Sequence, residues 1–567
     1  MEAQDKLPST TLKTTPLFQP RYGSTREEAF QLSYERAVAI NKHYGFTIED
    51  IVSLTPRFWD MHTDGIILSD IGAHALLSIQ YNLAAGTIAP FARERADLQP
   101  LLEKILKFQV SAGFMLTELD HGLDAKNLET TATLQSDGSF ILHTPRPGAA
   151  KFVPPSRPVA GIPRIAVVMA KLVVDGEDRG IRPFVVALGD GKEMCKGVTS
   201  VLLPELGGIK APYAITSFDQ VSLPATALLG SLEKPANMRE HFFSTIWRIP
   251  IGTLAMSLIM IPALKCVSYI VGKYSLRRTV HGLDNTRIPI ITFRTQQLPI
   301  LHALAQLSVM EPFAKHIISL FKDTSLKSEV RHGYAVILKA VFLQYAQRSI
   351  PQLVERCGAQ GLFQHNQICD ADILKKNLVR AAAISEGDAL VLSIRLAVEL
   401  FLGRYTMPPP TKPDCLLARY ELGLIEECVK LIETIPDGHH SQEFNRLLIP
   451  RCRPIVEAVG HRMAYETALA SGVDPDLLAL YEMGIVKDNL SWFVESGGLT
   501  RASVFEKENK ALDAILPRLN DLLDQLDIAP YSTAPIISQS MWETFVGDLE
   551  AYRGNAEYPL FDVVNGQ

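Results

Sequence analysis

Glu386 stands in Ser385-Glu386-Gly387-Asp388, directly ahead of the apolar run ALVLSIRLAVELFL that closes at Leu402. A carboxylate in that place has two readings. Beside a helix N-terminus it is a solvated Glu favoured by the helix dipole. Drawn into an apolar cleft, its pKa rises and it is poised as a general base. Ser385 or Asp388 supplies the cap for the helix that follows. A second candidate base, His121, lies in MLTELDHGLDAKNLETTATL, which runs from Met115 to Leu134. Its alternative is a loop histidine bonded to backbone. His439 and His440 are adjacent, so they do not converge on one metal from a helix and read as a solvated loop. No metal site is expected, and the Rossmann, P-loop and zincin signatures do not occur.

These residues must be positioned by a chain that changes habit twice. From about Arg26 to Gly122 apolar residues recur at three- and four-residue spacings, which predicts helices. From Glu129 to about Leu229 the pattern alternates. TTATL, the turn SDGS and FILHT form one expected hairpin; RIAVVMAKLVV, DGEDRG and IRPFVVAL form another. YAITSFDQVSLP reads as a last strand ending in a turn. After Pro235 the chain reads as helical to its end, with a break at YTMPPPTKPD, where consecutive prolines forbid helix. The expected units are residues 1–125, helical; 126–235, β; 236–406, a helical bundle carrying the catalytic Glu; and 407–567, a second helical block. The opening stretch is then a junction between a helical and a β unit, where sites often sit.

With 567 residues the chain is too long for one core. Hydrophobic residues make up 47% and charged residues 21%, which reads as a soluble globular protein. A formal net charge of −6 gives no electrostatic footprint for nucleic acid or an anionic membrane. Seven scattered cysteines without a C-x-x-C pair argue for a reducing compartment and against a disulfide framework. The longest apolar run, Ile249 to Leu264, is shorter than the ~18 residues of a membrane span and reads as a buried core helix. No transmembrane segment is expected. The C-terminal VVNGQ is not a Ser-Lys-Leu address, leaving an intracellular location, peroxisomal or cytoplasmic.

Taken in order, IQYNLAAGTIAPF, TELDHGLDAKNLETTAT, GKYSLRRTV, TFRTQQLPILHALA, CGAQGLF and SEGDALVL resemble motifs of the acyl-CoA oxidase and acyl-CoA dehydrogenase superfamily, in its oxidase-like branch. The resemblance covers most of the chain. It implies a mostly α fold with a small central β-barrel-like domain, a helical bundle and an extra C-terminal helical domain. It also implies FAD, an acyl-CoA substrate and a homodimer. Carried over residue by residue, Leu116 and Thr117 face the flavin pyrimidine side and Gly122 lies near the phosphates. Phe152 and Val153 lie beside the ring. Arg278 reaches the FAD of the partner subunit, Gln296 or Gln297 shares that dinucleotide site, Gly358 turns at the adenosine-diphosphate end, and Asp388 touches the cofactor. Glu386 matches the catalytic base, which removes the α-proton of an acyl thioester while the β-hydrogen leaves as hydride to the flavin. The implied activity is α,β-desaturation with electrons passed to oxygen.

The chain departs from the pattern in two places. Phe152-Val153-Pro154-Pro155-Ser156 stands where Trp-Trp-Pro-Gly-Gly is usual, and Ala359 stands for a second glycine. These changes open the alternative of a biosynthetic flavoenzyme with a non-standard acyl substrate; an alternative of another class, a non-catalytic scaffold that inherited the fold, is weighed against by the retained Glu386, Thr117 and Arg278.

Overall fold

The computed structural model describes residues 9–204, 206, 209–368, 378–404 and 406–557. The extreme N-terminus, Cys369 and the VVNGQ terminus lie outside the described residues. The first long helix, Arg26–Tyr44, starts at a capping box made by Thr25 and Glu28 and stops at Gly45, whose φ of 52° is left-handed. Shorter helices follow at Pro56–Thr63, Ile71–Ser78, Gly86–Ala92 and Gln99–Leu106. Between the second and third of these lies a π-helical segment, Ile79–Ala85.

The helical pattern expected through Gly122 ends earlier. The chain turns at Phe108, which is left-handed (φ 54°), and Ser111–Met115 is a strand, β1, buried at every position. A strand buried on both faces reads as an unbroken apolar run, and SAGFM therefore imitates a core helix. β1 runs parallel to β5 (Arg164–Val174), with Ser111 opposite Arg164. The same edge of β5 pairs in parallel with β2 (Thr131–Leu134), while its other edge pairs antiparallel with β6 (Glu177–Gly189). β2 continues into β3 (Phe140–His143), and β3 pairs with β9 (Val221–Leu223). A second sheet orders β4 (Lys151–Pro155), β8 (Tyr213–Phe218) and β7 (Val198–Leu202). Both expected hairpins are present. The tight one turns at Asp175 and Gly176, both left-handed, the geometry that suits the twist of its strands. The expected last strand is two strands, β8 and β9, either side of Asp219-Gln220.

After Pro235 the elements among the described residues are helices except for a small hairpin, Thr279–His281 with Arg287–Pro289. Expecting helix throughout missed it because its strands are three residues each; left-handed Asn285 marks the turn. The apolar run becomes two consecutive helices, Arg248–Leu258 and Met260–Arg277. By length and composition the stretch could cross a membrane, but 89% of its most apolar window is buried inside the protein. It packs on Arg294–Lys322 and Ser328–Glu355, the two long helices of the bundle. The C-terminal helix Ile449–Ala470 lies so close to Ser328–Glu355 that a Cβ on Gly460 would stand 2.3 Å from Val341 Cγ2. This is the mostly helical, β-centred fold that the sequence implies.

Candidate active site

Glu386 adopts a left-handed backbone (φ 54°) and is followed by Gly387 at φ 91°. The turn precedes the helix Ala389–Phe401, and Asp388 caps that helix by accepting from the Leu390 and Val391 N–H groups. The cap leaves Glu386 free to turn inward. Its Oε2 is buried and has no hydrogen-bond partner among the described residues. The space for it comes from Gly252 on Arg248–Leu258. A Cβ there would stand 2.5 Å from both Cδ and Oε2 of Glu386 and 2.8 Å from Asn82 Nδ2. Burial pushes the Glu386 carboxyl up to about 8, and the nearby Lys339 and Arg248 charges restrain the rise. The solvated reading is therefore displaced by the buried one.

Arg248 is the second charge beside it, after Lys339. Its guanidinium is buried; Nε donates to Asn82 O at 2.6 Å and Nη1 to Ile51 O at 3.1 Å. Nη2 has no partner among the described residues. Burial pushes Arg248 down to about 9, against the pull of Glu386. The guanidinium fits only because residue 86 is glycine, where a Cβ would fall 2.2 Å from Arg248 Nε.

The π-helical segment joins this carboxylate to the β unit. Asn82 Nδ2 donates to Arg248 O at 3.2 Å. Two residues earlier, Gln80 accepts from Ala112 N–H at 2.8 Å and donates to the Ile105 and Val110 carbonyls. β1 is thereby fixed, and Leu116 and Thr117 follow directly from it. Phe152 N–H donates to Thr117 O at 2.9 Å, so the two predicted flavin-facing stretches meet. Beneath them Lys151 and Glu118 form a fully buried ion pair at 2.9 Å. Lys151 also donates to Met169 O at 2.7 Å and Leu116 O at 3.3 Å. Burial resists ionisation of Glu118, but the Lys151 charge and the Glu129 N–H outweigh it and hold the carboxyl low. Glu118 is a strut and not a base. His121 is tied to Glu129 at 2.8 Å, which holds its pKa above the ordinary value.

The surface above this strut suits a flat, partly apolar group. Phe152 and Val153 are 37% and 38% exposed although they lie on a strand. The Thr117 hydroxyl has no hydrogen-bond partner among the described residues, and Thr117 ends no helix. At Gly122 and Gly358 a Cβ would meet no atom of the described residues within 4 Å; Gly358 is left-handed (φ 57°), which favours glycine there. Pro155 is buried, and its carbonyl accepts from Arg164 Nη1 at 2.6 Å. Arg278 is exposed beside the Tyr274 hydroxyl, without an ion pair among the described residues. Gln296 donates to Ser275 Oγ at 2.8 Å and to Arg356 O at 3.0 Å, and Gln297 donates to Ile291 O at 2.8 Å. The geometry thus brings Leu116, Thr117, Phe152 and Val153 together. Gln296 and Asp388 already serve internal contacts.

Asn82, Arg248, Gly252 and Lys339 were not singled out from the sequence. Two signals were available: a lone lysine within YAVILKAVFL, and a glycine inside an apolar helix, where it costs stability without a packing reason.

No family model matches the chain. It is similar to human peroxisomal acyl-coenzyme A oxidase 3, with 25% identity over 398 residues, 63% of this chain and 55% of that protein. The chain thus spans little more than half the length of that relative. Acyl-CoA oxidase 3 from Yarrowia lipolytica superposes with a TM-score of 0.81 at 18% identity, covering 95% of this chain and 87% of that one. Acyl-CoA oxidase-1 of Caenorhabditis elegans, solved with FAD and ATP, gives a TM-score of 0.68 at 16% identity, covering 94% and 96%.

Proposed function

We propose, on the premise that the chain belongs to the acyl-CoA oxidase superfamily, that it is an FAD-dependent enzyme that desaturates an acyl thioester between its α and β carbons. The observation that carries this reading is the buried Glu386 carboxylate with an oxygen unpartnered among the described residues, in a pocket that Gly252 keeps open. Bound FAD would supply the two-electron acceptor. Leu116, Thr117, Phe152 and Val153 would hold its ring end and Gly122 its phosphates. Arg278, Gln296, Gly358 and the backbone at Asp388 would serve the dinucleotide, with Arg278 reaching across a homodimer.

Glu386 takes the α-proton. Its raised pKa matches it to a weakly acidic carbon better than an ordinary carboxylate would be. Arg248 and Lys339 keep the ionised form accessible inside an apolar wall. Phe152 and Val153 exclude water from the face where the acyl chain reacts. Oxygen is the acceptor expected of an oxidase, and the setting is peroxisomal or cytoplasmic. A second reading retains the flavin but changes the acyl group. The buried Pro155 favours it, because no backbone N–H can be offered there.

The test is Glu386→Gln. The protein should purify yellow, and the variant should keep its flavin. Mixed anaerobically with a panel of acyl-CoAs, it should bleach about 10²–10⁴-fold more slowly than wild type. Equal rates would place the base elsewhere. A colourless protein that takes up no FAD would end the flavoenzyme reading.

A further inference from the structure

We propose that Lys339 is the positioning residue of this site: its ammonium group clamps the carbonyls on both sides of Glu386 and fixes the left-handed turn that aims the carboxylate at Gly252. Nζ donates to Ser385 O at 2.7 Å and also to Gly387 O. The carbonyl between them, that of Glu386, accepts from Thr253 Oγ1 at 2.6 Å. Three consecutive carbonyls are thus held by side chains from two different helices. A left-handed backbone is unfavourable for a residue with a side chain and persists only where the surroundings impose it.

Nothing else accounts for this lysine. It is buried in the apolar middle of Ser328–Glu355, where an aliphatic residue would pack without desolvating a charge. It forms no salt bridge among the described residues. Its bonds go to the turn that carries Glu386, so the desolvation it suffers serves that turn.

The clamp also places a cation against the carboxylate. Charged groups reach Glu386 from two packed helices: Lys339 from Ser328–Glu355 and Arg248 from Arg248–Leu258. Asp388, on the same turn, acts on Lys339. Asn82 and Gly252, which complete the wall, do not titrate, and His332 faces Arg395 instead. Without Lys339, Arg248 alone among the described residues favours the ionised form. The functional consequence rests on the reading of Glu386 as the base; the clamp does not.

The experiment compares wild-type holoenzyme with Lys339→Gln, which retains an N–H donor but no charge, and Lys339→Arg, which retains both. Infrared difference spectra across pH follow the C=O stretch of the protonated carboxyl, identified by its loss in Glu386→Gln. In Lys339→Gln the midpoint should move up by about one pH unit or more, and in Lys339→Arg it should stay near wild type. Anaerobic bleaching by straight-chain acyl-CoAs from octanoyl to palmitoyl, measured above the midpoint, should slow at least about tenfold in Lys339→Gln with half-saturation little changed. A Lys339→Gln midpoint and rate equal to wild type would overturn the proposal. Wild-type bleaching by Glu386→Gln would instead overturn the base assignment, and the infrared midpoints would still judge the clamp.

Discussion

Gly252→Ala adds one methyl group at the point where the carboxylate of Glu386 turns in. The new Cβ would lie 2.5 Å from Glu386 Cδ and Oε2, whereas comfortable contact begins near about 3.5 Å. Something must move by about 1 Å. The helix Arg248–Leu258 is held by Arg248 and by the core, and Asn82 lies in the π-helical segment with its amide bonded to Arg248 O, so the carboxyl is the part able to yield. Overpacking of this kind costs about 1–3 kcal/mol. Alanine in a helix interior recovers about 1 kcal/mol relative to glycine. The net loss of stability should therefore be small, about 0–2 kcal/mol. The reaction should suffer far more, because a misplacement of about 1 Å at a reacting group costs about 10²-fold. Stopped-flow bleaching with acyl-CoAs reads the rate, and thermal melting of the holoenzyme reads stability. A variant with wild-type bleaching would refute the reasoning. So would one whose melting temperature collapsed, since Gly252 would then be a core-packing residue only.

The raised Glu386 pKa predicts that the bleaching rate climbs with pH up to about 8 and then levels, because only the ionised form accepts the proton. The same shift has a thermodynamic sign. Folded protein holds a proton that unfolded chain releases near 4.5, so stability from this group declines as pH rises from there through about 8. Glu386→Gln should remove that decline, which urea titrations at pH 5 and pH 8.5 would reveal as a smaller difference than in wild type. Lys151→Met leaves the Glu118 carboxylate buried without its cation and should cost about 3–5 kcal/mol in urea unfolding. Adding Glu118→Met should return much of that loss, and a single variant as stable as wild type would remove the strut from the account.

The order of helical, β and helical units was legible because apolar spacing switches between three-to-four and two, and because the turn dipeptide Asp175-Gly176 lies between two alternating runs. β1 was not legible, since burial on both faces removes the alternation that marks a strand. Glu386 could be read from its sequence, but its inward turn could not. That turn depends on Asp388 capping the next helix and on Lys339, Thr253 and Gly252, which approach from positions 47 to 134 residues away in the chain. Such meetings are decided by packing and leave no local pattern. Gln296 shows the opposite difficulty: its motif is plain in the sequence, yet its amide nitrogen is already engaged by Ser275 and Arg356.

The π-helical segment Ile79–Ala85 acts as an indexing device. An α-helix advances about 100° per residue, so the phase of everything beyond the segment depends on its residue count. Upstream, Gln80 is keyed to β1; downstream, Gly86 is keyed to the Arg248 guanidinium. Wound as an α-helix, the same residues would turn Gly86 away by about a quarter turn, sending a side chain into the guanidinium. The lining of the β unit would be unmoved while the wall behind Glu386 lost its cation. A one-residue insertion here should therefore carry Gly86 out of place, whereas a one-residue deletion should let the segment rewind as α-helix with Gly86 still in phase.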